Sequence, residues 1–169
     1  MSEEQAENVL AEAAKLANKT SKIVVIDDDT SFLEEMRGHL ENNGYSVSTF
    51  ETAQHAFRFM KSQPWSWIPK LVITDVVMDG IGGYQVVRRV EELYPGRKIP
   101  TVVVSKLTSM DYSYEAEAAG AAAFLTKPIS EEKILLAMEH IKRNNERNFI
   151  SDYELSTVKK DSTDQSSSY

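Results

Sequence analysis

Three short runs in this chain are apolar, rich in β-branched residues and unbroken: Ile23–Ile26 ("IVVI"), Leu71–Thr74 ("LVIT") and Thr101–Val104 ("TVVV"). A strand with one wet face alternates polar and apolar side chains, so an unbroken run predicts a strand covered on both faces. Two further segments, Tyr45–Phe50 ("YSVSTF") and Ala122–Leu125 ("AAFL"), complete a set of five. The alternation within "YSVSTF" predicts an edge strand.

Helix-period segments separate these runs. Ser31–Asn43 spaces Phe32, Met36 and Leu40 along one face and stops at "NNG". Thr52–Ser62 carries Ala53, Ala56, Phe57 and Met60, and Gly83–Tyr94 carries Val86, Val87, Val90 and Leu93 before Pro95-Gly96. Tyr112–Ala119 is short and closed by Gly120. Ser130–Asn145 opens with an N-cap serine and two glutamates, which the helix dipole favours in a first turn. Alternating strands and helices imply an α/β fold: a doubly wound, five-stranded parallel sheet with helices on both faces and right-handed crossovers. In such sheets the ligand sits at the carboxyl ends of the strands.

Those ends carry the chemistry. Asp27, Asp28 and Asp29 follow the first run, Asp75 the third, Ser105 the fourth, and Thr126-Lys127-Pro128 the fifth. Two like charges about 4 Å apart repel by roughly 4 kcal/mol near a protein surface, so clustered carboxylates need a cation. Magnesium suits an all-oxygen site and completes its shell with water and phosphate oxygens. A nearby lysine and hydroxyl suit a phosphate, and Asp75 would serve as a carboxylate nucleophile. A lone aspartate at a helix start is ordinarily an N-cap, but three in a row exceed that need. His39, His55 and His140 lie scattered with no metal spacing.

Gross properties narrow the class. A chain of 169 residues supports one hydrophobic core, and a net charge of −7 argues against direct nucleic-acid binding. The absence of cysteine excludes disulfides, thiolate zinc sites and cysteine nucleophiles. No apolar run approaches the ~20 residues of a membrane span, and "MSEEQAENVL" is no secretory signal, so a cytoplasmic protein is expected.

Four segments in order, "VVIDDD", "LVITDVVMDGIGG", "TVVVSK" and "GAAAFLTKP", make the stretch from about Lys22 to Arg143 resemble the receiver domains of two-component response regulators. The resemblance implies the flavodoxin-like strand order 2-1-3-4-5. It implies Asp27 and Asp28 as the acidic metal-binding pair, Asp75 as phosphoacceptor and the Val77 carbonyl as a further metal ligand. Ser105 then matches the switch hydroxyl, Phe124 the switch aromatic and Lys127 the phosphoryl-pairing lysine. A cis peptide is expected before Pro128. The implied cofactor is Mg2+, for which Mn2+ can substitute. The implied partners are a sensor histidine kinase or histidine phosphotransfer protein and a downstream protein. The latter would bind the face formed by the fourth of these helices, the fifth strand and the fifth helix. Such a domain catalyses only its own phosphorylation and dephosphorylation. Competing readings are a scaffold, a phosphate relay or sink, and a small magnesium-dependent phosphatase. The phosphatase is disfavoured because Val77 stands where it would carry a second acid–base carboxylate.

The pattern is broken at two places. Asp79 replaces the usual proline, in a turn that accepts Asp-Gly readily. Lys106 replaces a small residue after the switch serine, where its ammonium would cap the phosphate or screen it from a phosphatase. Trp65 and Trp67, in "SQPWSWIPK", are expected to close the core opposite the site, a partner patch being the sharper alternative. The expected division is an N-terminal extension over 1–20, the receiver over 21–147 and a largely disordered tail over 148–169. Val9, Leu10, Ala13, Leu16 and Ala17 suggest a helix that docks, pairs with a second copy or frays. Phe149, Ile150, Tyr153, Leu155 and Val158 are too few for a domain and would extend the last helix or fold back on it. With no DNA-binding segment in the chain as given, output is expected through protein–protein contact, relay of phosphate to another carrier or self-association as a homodimer, unless the chain is a piece of a longer regulator.

Overall fold

The computed structural model describes residues 1–18, 21–78, 80–144, 149–152 and 154–155. The expectations on Asp79, Tyr153, Val158 and the polar tail lie outside them. The elements run α1 (Glu3–Asn18), β1 (Lys22–Ile26), α2 (Thr30–Glu41), β2 (Ser46–Phe50), α3 (Ala53–Ser62) and β3 (Leu71–Asp75). They continue with α4 (Gly83–Leu93), β4 (Thr101–Ser105), α5 (Met110–Ala119), β5 (Ala123–Thr126), α6 (Glu131–Arg143) and β6 (Ile150–Ser151).

The sheet order is β2-β1-β3-β4-β5-β6, and every pairing is parallel. The five expected strands stand in the expected order, and a sixth must be added. Two residues carry no periodicity, so β6 left no pattern to read. The chain therefore folds back after α6, the second of the two options for this segment.

Both faces of the central strands are buried because successive side chains enter different clusters. Ile23 and Val25 pack with Phe32, Met36, Leu40, Ile134 and Ala137 under α2 and α6. Val24 and Ile26 pack with Ala56, Phe57, Val86 and Val90 under α3 and α4. Each fully buried aliphatic side chain contributes about 1.5–3 kcal/mol, and together they fix the register. Caps set the helix ends. Asp29 accepts from Ser31 N–H and Phe32 N–H at the start of α2, and Ser130 accepts from Lys133 N–H at the start of α6. Gly120 ends α5 in the left-handed region at φ 99°.

The tryptophan loop divides. Trp67 is half-buried and meets Phe59 edge-on at 5.4 Å, in the cluster under α3. Trp65 is corrected: it is 85% exposed, with the Arg97 guanidinium 5.5 Å from its ring centre. Its place explains this, because Trp67 N–H closes a turn on Pro64 C=O and leaves Trp65 on the outside. At the other end of the chain, α1 forms with Val9, Leu10 and Leu16 exposed.

Candidate functional site

Parallel register assembles the site. Ile26 pairs with Thr74, so Asp27 and Asp75 leave adjacent strands at the same level. Asp75 pairs with Val104, and Ser105 with Thr126, so Ser105 and Lys127 arrive at the same end. Carboxylate oxygens of Asp27, Asp28 and Asp75 all lie within 4.8 Å of one another. Asp27 is fully buried, Asp75 is 9% exposed and Asp28 faces solvent. No other group of three potential ligands is found among the described residues.

The cation beside these charges within the chain is Lys127. Its Nζ donates to Asp27 Oδ2 at 2.5 Å and to Asp75 Oδ2 at 2.9 Å, and lies 4.3 Å from the Phe32 ring centre. The remaining oxygens are held by backbone: Asp29 N–H donates to Asp27 Oδ1, and Val77 N–H to Asp75 Oδ1. Burial pushes the Asp27 carboxyl from its ordinary 3.8 up to about 6, against the downward pull of Lys127 and the Asp29 N–H. Burial also opposes the charge on Lys127, but the hydrogen bonds to Asp27 and Asp75 outweigh it and hold its pKa above the ordinary lysine value. The first turn of α4 closes on the same strand end. A Cβ on Gly83 would lie 2.2 Å from the Asp75 carbonyl oxygen, so no other residue fits there without a backbone shift.

The remaining expected residues have these places. Ser105 is buried; its Oγ accepts from Leu107 N–H at 2.9 Å and its carbonyl from Lys127 N–H at 2.8 Å. Phe124 is 4% exposed, packed with Val76, Val87, Val103, Ala116 and Ala121. The Lys127-Pro128 peptide is cis. Lys106 is exposed and pairs with Asp29 at 3.7 Å, linking the loops after β1 and β4 across the mouth of the site. Asp29 thus belongs to the α2 cap and this surface pair, and its carboxyl is held below the ordinary range chiefly by Phe32 N–H.

Sequence reasoning missed one set beside the site. Asp152 accepts Thr126 N–H on both oxygens at 3.0 Å, and Lys133 Nζ joins Asp152 at 2.6 Å to the Thr126 carbonyl at 2.7 Å. Thr126 immediately precedes Lys127. The hint was the apolar set Phe149, Ile150 and Leu155, too sparse to signal a strand or its acidic neighbour.

Comparison with known proteins places the arrangement. The profile of the response regulator receiver domain matches residues 23–139. The Mycolicibacterium vanbaalenii response regulator MprA is 30% identical over 122 residues, 72% of this chain and 50% of that protein. The Escherichia coli transcriptional regulatory protein GlrR is 27% identical over 124 residues, 73% of this chain. The chain spans 27% of GlrR's length. The Vibrio cholerae chemotaxis protein CheY4 shares the fold, with a TM-score of 0.64 at 24% identity over 72% of this chain and 98% of that one. This chain belongs to the response regulator receiver domains of two-component signalling. Phosphorylation and Mg2+ are features of that family, whose members interact with histidine kinases and downstream targets. Among the described residues, no helix is long and apolar enough to cross a membrane.

Proposed function

We propose that this chain accepts a phosphoryl group from phosphohistidine onto Asp75 and converts it into a changed protein-binding face. The observation that carries the reading is the meeting of the Asp27, Asp28 and Asp75 carboxylates at one end of the sheet, with Lys127 against two of them. Three hard oxygen donors from two strand ends suit Mg2+, with Mn2+ able to substitute and the Val77 carbonyl as a fourth ligand. When bound, the ion withdraws charge from the phosphoryl oxygens and neutralises the acidic cluster.

An Asp75 carboxylate oxygen attacks phosphorus; the P–N bond breaks and the imidazole leaves with its electrons. Lys127 stays charged and exchanges a carboxylate partner for a phosphoryl oxygen. Ser105 releases Leu107 N–H and turns its hydroxyl to donate to the phosphate. Its loop moves, and Phe124 repacks into the space vacated, altering the face made by α5, β5 and α6. Water attack on phosphorus then breaks the bond to Asp75 and restores the carboxylate. Phe124 is core in the state described, so its switching is the step that needs the phosphate most. Lys106, drawn off Asp29, would cap the phosphate and slow its loss.

The receiver unit spans about 21–147, flanked by the N-terminal helical extension and by a C-terminal tail in which Phe149, Ile150 and Leu155 pack on the domain. Partners are a histidine kinase or phosphotransfer protein and a downstream protein, without direct nucleic-acid contact. The test is incubation with Mg2+ and acetyl phosphate, read by intact mass. A gain of one phosphoryl group that Asp75→Asn abolishes supports the reading; a gain that survives Asp75→Asn overturns it.

A further inference from the structure

The segment after α6 grips both faces of the β5 edge. Ile150 and Leu155 are 2% and 6% exposed and enter the cluster under α2 and α6. Phe149 packs on the opposite side, in the cluster that holds Phe124 and Tyr112. Between them, Ile150 N–H donates to Ala122 C=O, and β6 pairs Ala123 with Ile150 and Phe124 with Ser151. The segment is short, and its polar anchor is half-open to water, with the Lys133 and Asp152 side chains 25% and 30% exposed. Short elements with few buried contacts open locally before the rest of a fold.

Its anchor point ties it to the site. Asp152 takes the N–H of Thr126 and Lys133 takes its carbonyl, so both backbone polar groups of the residue before Lys127 are held by the added segment and its salt bridge. The next N–H, that of Lys127, is held by Ser105 C=O, and the Lys127 ammonium by Asp27 and Asp75. One continuous run of contacts therefore links Asp75 to Asp152. Anything that changes what the Lys127 ammonium holds, or moves Ser105, acts on the strand end that Asp152 caps.

We infer that residues 149–152, with Leu155, form an intrachain latch over the β5 edge, and that its hold is coupled to what occupies the carboxylate site. With Lys127 on Asp27 and Asp75 the latch is closed. A phosphoryl group on Asp75 draws Lys127 and Ser105 to itself, shifts Thr126 and loosens the Asp152 cap. Opening exposes the β5 strand edge and the seats of Ile150 and Leu155. Coupling of this kind is reciprocal, so loosening the latch also changes affinity at the site. The phosphoryl arm rests on the function proposed above; the link between Lys127 and the latch does not.

Hydrogen exchange read by mass spectrometry on the full chain tests it. Peptides covering 123–127 and 149–155 are followed without ligand, and with Mg2+ and acetyl phosphate while intact mass scores phosphorylation. Lys127→Met is followed without ligand, and Asp152→Asn serves as the opened reference, its fold checked by circular dichroism. The latch predicts that phosphorylation and Lys127→Met each speed exchange in 149–155 by at least roughly fivefold, towards the Asp152→Asn rate. Phosphorylated protein with unchanged exchange overturns the latch and leaves the proposed function standing. If no phosphoryl is gained, the proposed function fails and Lys127→Met decides the latch: faster exchange supports it, and unchanged exchange overturns it.

Discussion

The two ends of the sheet are built on opposite principles. At the carboxyl end, Asp27, Asp75 and Ser105 are buried, three carboxylates crowd together, and one lysine bridges two of them. At the amino end, Trp67, Phe59, Tyr94 and Ile99 pack on a cluster of buried apolar side chains. One end concentrates groups that each fare better in water, so it is held together by the strands on either side. The other contributes by excluding water. The lesson is that substitutions at the carboxyl end should strike chemistry more than stability, and those at the amino end the reverse.

The sharpest break in that contrast would come from the acidic cluster. Asp27→Asn with Asp28→Asn should weaken Mg2+ binding, measured by calorimetry, by at least roughly tenfold, since affinity follows the count of charged ligands. Circular dichroism should show the fold retained. If the pair unfolds the domain instead, the carboxyl end is structural and the contrast fails.

At the opposite end, Trp67→Ala removes a half-buried ring from its edge-on contact with Phe59. It should cost about 2 kcal/mol in urea unfolding and leave phosphorylation by acetyl phosphate unchanged. Trp65→Ala, at the exposed turn, should stay within about 0.5 kcal/mol. An equal loss for both would show that the ring at 65 is more than surface.

Acidity sharpens the comparison further. The Asp27 carboxyl titrates near 6 when folded and near 3.8 when exposed, so between those values the folded chain binds more protons. Asp27 therefore stabilises the metal-free protein below about 3.8, and that contribution is lost as pH rises through about 6. Without Mg2+, wild type should lose stability over that window relative to Asp27→Asn. Mg2+ affinity should fall as pH drops below 6, because the ion and the proton compete for one carboxylate. A flat difference between wild type and Asp27→Asn would contradict the buried, titrating acid.

How far the sequence was legible follows from pattern length. The unbroken runs at Ile23, Leu71 and Thr101 had to be central strands, and their last residues had to meet at one end. Asp27, Asp75, Ser105 and Lys127 could be placed there before any coordinates. Lys127 was expected there as the partner of a phosphate; that its ammonium bridges Asp27 and Asp75 depends on side-chain placement, which sequence spacing does not carry. Asp29 looked like part of the acidic cluster and is instead the cap of α2. Strand β6 and Asp152 were invisible, since two residues show no period. Trp65 misled because an aromatic residue near a strand usually turns inward, whereas the turn at Pro64 points this one out.

The central claim is that the buried aspartate after β3 takes up phosphorus with the help of a divalent ion. The most direct measurement locates the added group. After treatment with Mg2+ and acetyl phosphate, the acyl phosphate is reduced and the digested chain is mapped by mass. Modification at Asp75 alone, lost when the metal is chelated, is the predicted result. Modification elsewhere, or at Asp75 to the same extent with the metal chelated, would contradict it.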